Sequence, residues 1–158
     1  MFKKLGSLVL ALIVIVSLAA CSSLQEADAS GIYVSIDINP SIEFIIDEND
    51  IVESYNLLNE DAEILCADVD FVGMTIEDAT ELFIQLATDA GFIDLDSEDN
   101  AILITVIGDK DKEELKLQIQ ERIRIRAMSF MARNYINGQV FTEDFTNEDL
   151  VAQANELG

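Results

Sequence analysis

The chain contains a single proline, Pro40, and apolar residues recur at every second position on both sides of it. Ile32, Val34, Ile36 and Ile38 share one face of an extended segment, with Tyr33, Ser35, Asp37 and Asn39 on the other. Beyond the proline, Ile42, Phe44 and Ile46 repeat the pattern. Period-two alternation of branched side chains predicts half-buried strands. Pro40 has no N–H to give to a sheet ladder, so it marks a strand end or an edge. Its ring also biases Asn39 towards an extended backbone. The stretch reads as a strand over 32–38, an Asn-Pro corner, and a strand over 41–47.

The rest of the chain supplies partners for these strands. Asp47-Glu48-Asn49-Asp50 is a turn, and 51–58 is a third strand. Strands so closely spaced form an antiparallel meander. Residues 59–73 read as irregular and acidic. Thr75, with Asp78 three residues on, opens a helix whose apolar face is Ile76, Ala79, Phe83, Leu86, Ala87 and Ala90, and Gly91 ends it. Apolar residues on both faces of 100–107 predict a central, covered strand, stopped by Gly108-Asp109. A long helix over 111–135 follows, with Leu115, Ile119, Ile123 and Phe130 or Met131 on its apolar side, and Gly138 breaks it. A last short helix is expected over 146–157. The order β-β-β-α-β-α predicts an α+β fold, an antiparallel-rich sheet of about four strands with two helices packed on it. Ile36, Ile38, Phe44, Phe83 and Ile104 are the expected core.

Charge narrows the function. The net charge is −22 and there is no histidine. That excludes a histidine-based triad and a His-ligated zinc site. Phosphate binding needs clustered Lys and Arg, so nucleic acid is not an expected partner. Outside Lys3 and Lys4, every basic residue lies between Lys110 and Arg133. The simplest reading is that this basic helix lies across the acidic sheet and neutralises part of it. The acids at Glu60, Asp61, Glu63, Asp68 and Asp70 carry little weight as a glycosidase pair in so acidic a chain. The run from Asp94 to Asn100 lacks the glycine and distal glutamate of a calcium loop and reads as solvated. No cofactor and no metal are expected.

The first twenty residues read as a leader. Lys3 and Lys4 precede an apolar run, 8–18, that is short for a membrane span but right for a signal-peptide core. It ends in Leu18-Ala19-Ala20-Cys21, which looks like a bacterial lipobox. Cleavage before Cys21 and acylation of its thiol would anchor the chain, each buried methylene contributing about 0.8 kcal/mol. The plainer alternative is an ordinary signal peptide with a chance cysteine. Cys66 then has no partner for an intramolecular disulfide and reads as a small buried apolar residue. Residues 22–30 are polar and read as a tether.

The run Ser35-Ile36-Asp37-Ile38-Asn39-Pro40-Ser41-Ile42-Glu43 closely resembles the signature of the extracytoplasmic middle domain of RsgI-type anti-sigma factors. Those are transmembrane regulators that sense extracellular polysaccharide. Leu58-Asn59-Glu60-Asp61 resembles a second family feature, a Leu-Asn-Glu-Asp-Gly turn, with Ala62 in place of the glycine. The resemblance covers roughly 31–136. The expected organisation is a signal peptide over 1–20, a lipidated cysteine and tether over 21–30, an RsgI-like module over 31–136, and an acidic segment over 137–158.

In the family, the bond matching Asn39-Pro40 is a site of spontaneous backbone cleavage whose two pieces stay together. The residues suit that chemistry. Pro40 has no N–H, so the usual attack of the next backbone nitrogen on the asparagine amide is closed. The Asn39 side-chain nitrogen can instead attack its own main-chain carbonyl, closing a succinimide and expelling the proline amine. A fold that holds a near-attack pose lowers that barrier by several kcal/mol. Any of Asp37, Ser35 and Ser41 could move the proton or bind the oxyanion. Without the signature, Asn-Pro is simply a turn former.

Any catalysis expected is therefore a single-turnover autoproteolysis. The expected function is a membrane-anchored, extracytoplasmic signalling or interaction lipoprotein. Its expected partners are the membrane, through lipid on Cys21, and a transmembrane regulator or its protease. The sequence leaves no room before the leader for the family's cytoplasmic domain, so direct sigma-factor binding is not expected. The alternative is an orphan ligand-binding or structural lipoprotein that does not cut itself.

Overall fold

A computed structural model describes residues 31–146. The expected leader, Cys21, the tether and the last helix lie outside the described residues. Strands β1 (Ile32–Asp37), β2 (Ser41–Ile46) and β3 (Val52–Leu57) come first. Helices α1 (Glu60–Leu65) and α2 (Ile76–Asp89) follow, then β4 (Asn100–Gly108). A short 3-10 turn, Lys110–Lys112, leads into α3 (Glu113–Arg133), and β5 (Gly138–Thr146) closes the order. The sheet runs β3-β2-β1-β4-β5. All its pairings are antiparallel except β4 with β5, which is parallel.

The α+β expectation holds, with a larger sheet. β5 is a fifth strand, and 60–65 is a helix where an irregular segment was expected. Polar residues at Gln139, Thr142, Glu143 and Asp144 blur the alternation of β5, which is an edge strand with one neighbour. The first three strands form the expected meander, β1 and β2 each one residue and β3 two residues shorter than the sequence pattern suggests.

One face of the sheet carries the core. Ile32, Val34 and Ile36 on β1, Ile42, Phe44 and Ile46 on β2, and Ile102, Ile104 and Val106 on β4 are all buried. They pack with Ile76, Ala79, Phe83 and Ile84 of α2 and Ile119, Ile123, Ala127, Phe130 and Met131 of α3. Ile36, Phe44, Phe83 and Ile104 are fully buried, whereas Ile38, just past β1, is only partly so. The opposite face is not covered to the same degree. Leu103, Thr105 and Ile107 stay partly exposed, which corrects the expectation of a strand covered on both sides.

The helix caps follow sequence chemistry. The Thr75 hydroxyl accepts the Asp78 N–H at 3.2 Å. At the other end of α2, Phe92 N–H reaches Ala87 O at 2.9 Å and Gly91 N–H reaches Thr88 O at 3.0 Å. That is a Schellman pairing, and it needs a left-handed residue at Gly91, whose φ is +85°. Ala90, expected on the apolar face, caps the helix and is exposed.

Two expectations for α3 are corrected. Leu115 was placed on the apolar side, but it is exposed and Lys116 is fully buried instead. The Lys116 stem passes within 3.2 Å of where a Cβ on Gly108 would sit, so a glycine there leaves room for it. Its ammonium donates to Phe145 O at 3.1 Å and pairs with Glu113 at 2.8 Å. A buried charge so satisfied ties the start of α3 to the end of β5.

The basic helix also finds different partners. Arg122, Arg126 and Arg133 pair with α2 and with the β2–β3 turn rather than with the sheet strands, and Arg124 pairs with Glu121 of its own helix. Arg122 reaches Asp50 at 2.6 Å and Glu77 at 3.1 Å; Arg126 reaches Asp78 at 2.6 Å and also pairs with Glu81; Arg133 reaches Glu81 at 2.9 Å. Isolated exposed pairs contribute at most about 1 kcal/mol. This set, sharing acceptors along one seam, fixes how the two helices lie side by side.

Candidate functional site at the β1–β2 hairpin

β1 ends at Asp37 and β2 begins at Ser41, opposite it in register. Residues 38–40 must therefore reverse the chain within three residues. Asp37 organises the reversal. Its Oδ1 accepts the Asn39 N–H at 3.1 Å and the Ser41 hydroxyl at 2.9 Å. The Pro40 carbonyl accepts the Ile38 N–H at 3.0 Å.

Asn39 is left-handed, with φ +58°, not extended. The steric bias from the proline ring is overridden by the tight link and by the Asp37 bond to the Asn39 N–H. Asparagine tolerates this region better than most residues, at a cost of about 1 kcal/mol or somewhat more. Asn39 is exposed while Pro40 is buried. The bond between them thus passes from solvent into the packed body of the domain. The proline side is held by burial, and the asparagine side by one hydrogen bond to its N–H and one to its carboxamide.

Asn59 supplies one of those bonds from twenty residues away. It is the N-cap of α1, with its Oδ1 accepting the Ala62 N–H at 3.0 Å. The same oxygen accepts the Ser41 N–H at 3.3 Å. Its amide nitrogen donates to Asn39 Oδ1 at 3.2 Å and to Ser41 Oγ at 3.4 Å. The α1 cap is therefore also a brace for the Asn39 carboxamide. Sequence reasoning placed Asn59 only in a turn resembling a family feature. That recurrent asparagine was the signal, and only its placement beside Asn39 gives it a site role.

Asp37, Asn39, Pro40 and Ser41 come together at this hairpin. Ser35 stands further along β1, opposite Glu43 on β2 and Thr105 on β4, on the same strand face as Asp37. Cys21 is outside the described residues. Cys66 is buried and free, and burial pushes its thiol pKa up. Among the described residues no group of three or more Cys, Asp or Glu is placed to hold a metal ion. None of the helices among them is long and apolar enough to cross a membrane. Asp94 and Asn100 close the acidic loop on themselves, with Asp94 N–H to Asn100 Oδ1 at 3.0 Å and Asn100 Nδ2 to Asp94 O at 2.7 Å. A cleft of about 540 Å³ lies at the other end of the β1–β2 ladder, lined in part by Ile45, Asp47, Glu48, Glu53 and Lys112.

The hairpin brings a carboxamide, a carboxylate and a hydroxyl together around the Asn39-Pro40 bond. Holding Asn39 Oδ1 towards Asn59 leaves the amide nitrogen on the side away from that partner. Asp37 is a proton acceptor bonded to the Asn39 backbone N–H, and the Ser41 hydroxyl donates to the same oxygen. Ser41 follows the proline, so its hydroxyl is suited to relaying a proton.

A family model described as the anti-sigma factor RsgI-like central domain matches residues 32–158. The chain is 29% identical to anti-sigma-I factor RsgI7 of Acetivibrio thermocellus over 126 residues, which is 80% of this chain and 22% of that protein. It is 36% identical to RsgI3 of the same organism over 72 residues, 46% of this chain and 11% of the relative. With RsgI6 the identity is 38% over 77 residues, 49% of this chain and 10% of the relative. The chain thus spans less than a quarter of the length of these relatives.

Proposed function

The chain belongs to the family of the anti-sigma factor RsgI-like central domain, and from that premise we propose that it is a signalling module held on the outer face of the cell membrane by lipid on Cys21, which cuts its own backbone between Asn39 and Pro40. The observation that carries the reading is the Asn59–Asn39 contact: a left-handed asparagine directly before a buried proline, with its carboxamide braced by a second asparagine.

The reaction balances as follows. Asn39 Nδ2 forms a bond to its own main-chain carbon and loses a proton, which Asp37 accepts. The tetrahedral centre collapses, the carbon–nitrogen bond to Pro40 breaks, and the Ser41 hydroxyl relays a proton from Asp37 to the proline nitrogen. The products are a C-terminal succinimide at Asn39 and a free secondary amine at Pro40. One water later opens the succinimide. The fold supplies pose and proton path, each within the range of ordinary positional and acid–base catalysis.

After the cut, the lipid and the rest of the domain are on different pieces. Lipid on Cys21 anchors the piece ending at Asn39, and among the described residues β1, with Ile38 and Asn39 after it, holds the piece beginning at Pro40 to it. A regulatory partner at the membrane, a transmembrane regulator or its protease, would read whether that contact persists. Membranes from cells producing the full chain test this directly. A buffer wash should leave both pieces bound, and a denaturing wash should release only the piece beginning at Pro40. Release of an uncut chain, or retention of everything as one uncut chain, contradicts the reading. The second outcome favours an orphan ligand-binding or structural lipoprotein, for which the cleft at the far end of the hairpin is the place to look.

A further inference from the structure

β1 is the middle strand of the sheet, hydrogen-bonded to β2 on one side and β4 on the other. It is also the sole described element before the Asn39-Pro40 bond. We infer that the cut domain is an exchangeable two-piece complex: the slot between β2 and β4 accepts, in place of its own β1, the β1 segment of a second copy of this chain. The inference rests on the self-cleavage reading for how the slot becomes accessible, but the slot itself is a property of the topology.

The slot defines its occupant closely. Val34 sits between Phe44 of β2 and Val106 of β4, and Ile36 between Ile42 and Ile104. Both neighbours run antiparallel to β1, so an occupant pairs with backbone on each edge. Its side chains must alternate, with branched aliphatics facing the core at Ile32, Val34 and Ile36, which are at most 4% exposed. A strand shifted by one residue would put Tyr33, Ser35 and Asp37 into that core. Few segments other than another β1 satisfy both edges and the inward face at once. An empty slot leaves two unpaired strand edges and the apolar side chains of Ile42, Phe44, Ile104 and Val106 uncovered, a state that recaptures a strand rather than persisting.

The uncut chain cannot exchange in the same way. The 38–40 link holds β1 beside β2 at an effective concentration of the order of millimolar or above, which a strand in trans does not match. Cutting that link removes the advantage. Exchange between identical copies then makes and breaks the same bonds, so the mixed complex is as stable as the parent. On a membrane, the anchored β1 segments become a shared set of docking strands for the pieces that begin at Pro40.

The test mixes equal amounts of isotopically heavy and light cut chain and follows the mixture by native mass spectrometry. Hybrid masses, heavy β1 piece with light remainder and the reverse, should grow until they make up about half of the complexes. Asn39→Ala chains, heavy and light, should keep only the two parental masses. Denaturing and refolding the cut mixture together shows that hybrids are detected when they form. Parental masses alone in the undisturbed cut mixture, against hybrids in the refolded one, overturn the inference. A variant with a site-specific protease sequence inserted between Asn39 and Pro40, cut by added protease, keeps the two readings apart. If the natural chain does not cut itself, the self-cleavage reading fails. The protease-cut variant then decides exchange by the same masses.

Discussion

The Asn59 side-chain amide donates to Asn39 Oδ1 at 3.2 Å, joining the first turn of α1 to the residue before the chain's one proline. Substituting Asn59 separates its two roles. Asn59→Asp keeps the oxygen that caps α1 and accepts the Ser41 N–H, but removes the donor to Asn39. Cutting should slow by roughly fivefold, the rate equivalent of about 1 kcal/mol for one hydrogen bond, with little change in thermal midpoint. Asn59→Ala removes both and should also cost about 0.5–2 kcal/mol of stability through the lost cap. Time courses of cutting, set beside thermal melts, check this. Equal cutting rates in all three proteins would leave Asn59 as a helix cap only.

The core expectation is quantitative. Phe83 on α2 and Ile104 on β4 are both fully buried. Phe83→Ala and Ile104→Ala should each destabilise the domain by roughly 2–5 kcal/mol, from lost burial and the cavity left behind. Denaturant titration of each variant measures it. An unmoved midpoint in either would mean that its face of the element is misassigned.

The β2–β3 turn should be acid-sensitive. Asp47 Oδ1 accepts the Asn49 N–H at 2.8 Å and the Ile51 N–H at 2.9 Å. The Ile51 bond is the main reason its pKa lies below the ordinary carboxylate value of 3.8. A carboxylate whose folded pKa is depressed binds fewer protons folded than unfolded below that value. Its contribution is fully present above the unfolded pKa and is lost as the pH falls through the lower folded one. Asp47→Ala should therefore flatten the fall in stability below about pH 4 and lower stability at neutral pH. Melts from pH 2 to 7, on both proteins, read the difference.

Anchoring is tested at Cys21. Cys21→Ser removes the thiol that would carry lipid, so the chain should appear in the soluble extracytoplasmic fraction or keep its leader. Metabolic labelling with a fatty acid follows it. Undiminished label on the variant would rule out lipid at this position.

Much of this was legible in the residues because local chemistry and long-range packing agree. The alternation from Ile32 to Ile46 needs two strands wherever they sit, and both strands bury the residues that the period selects. Thr75 and Gly91 cap α2 by bonds within their own turns. The misreadings fall where distant partners decide. Lys116 can be buried because Phe145 O, at the end of another element, accepts a hydrogen bond from its ammonium and Glu113 pairs with it. β5 is polar along most of its length, and only β4 beside it makes it a strand. At the candidate site, Asp37, Asn39, Pro40 and Ser41 are neighbours in sequence and could be read together. The left-handed turn of Asn39 comes from the tight link and the Asp37 bond, against the bias of the proline. The brace from Asn59 depends on how α1 is placed, which no local pattern reports.

The most direct measurement is denaturing intact-mass analysis of the purified domain over days, beside Asn39→Ala. The account predicts two fragments from the parent, one beginning at Pro40 and one ending at Asn39, whose masses sum to the uncut chain before the succinimide takes up water and to one water more afterwards. Chain kept in denaturant from the start should stay whole, because only the fold supplies the pose, and Asn39→Ala should stay whole while folded. A parent that keeps a single intact mass, with no fragment beginning at Pro40, would contradict the account.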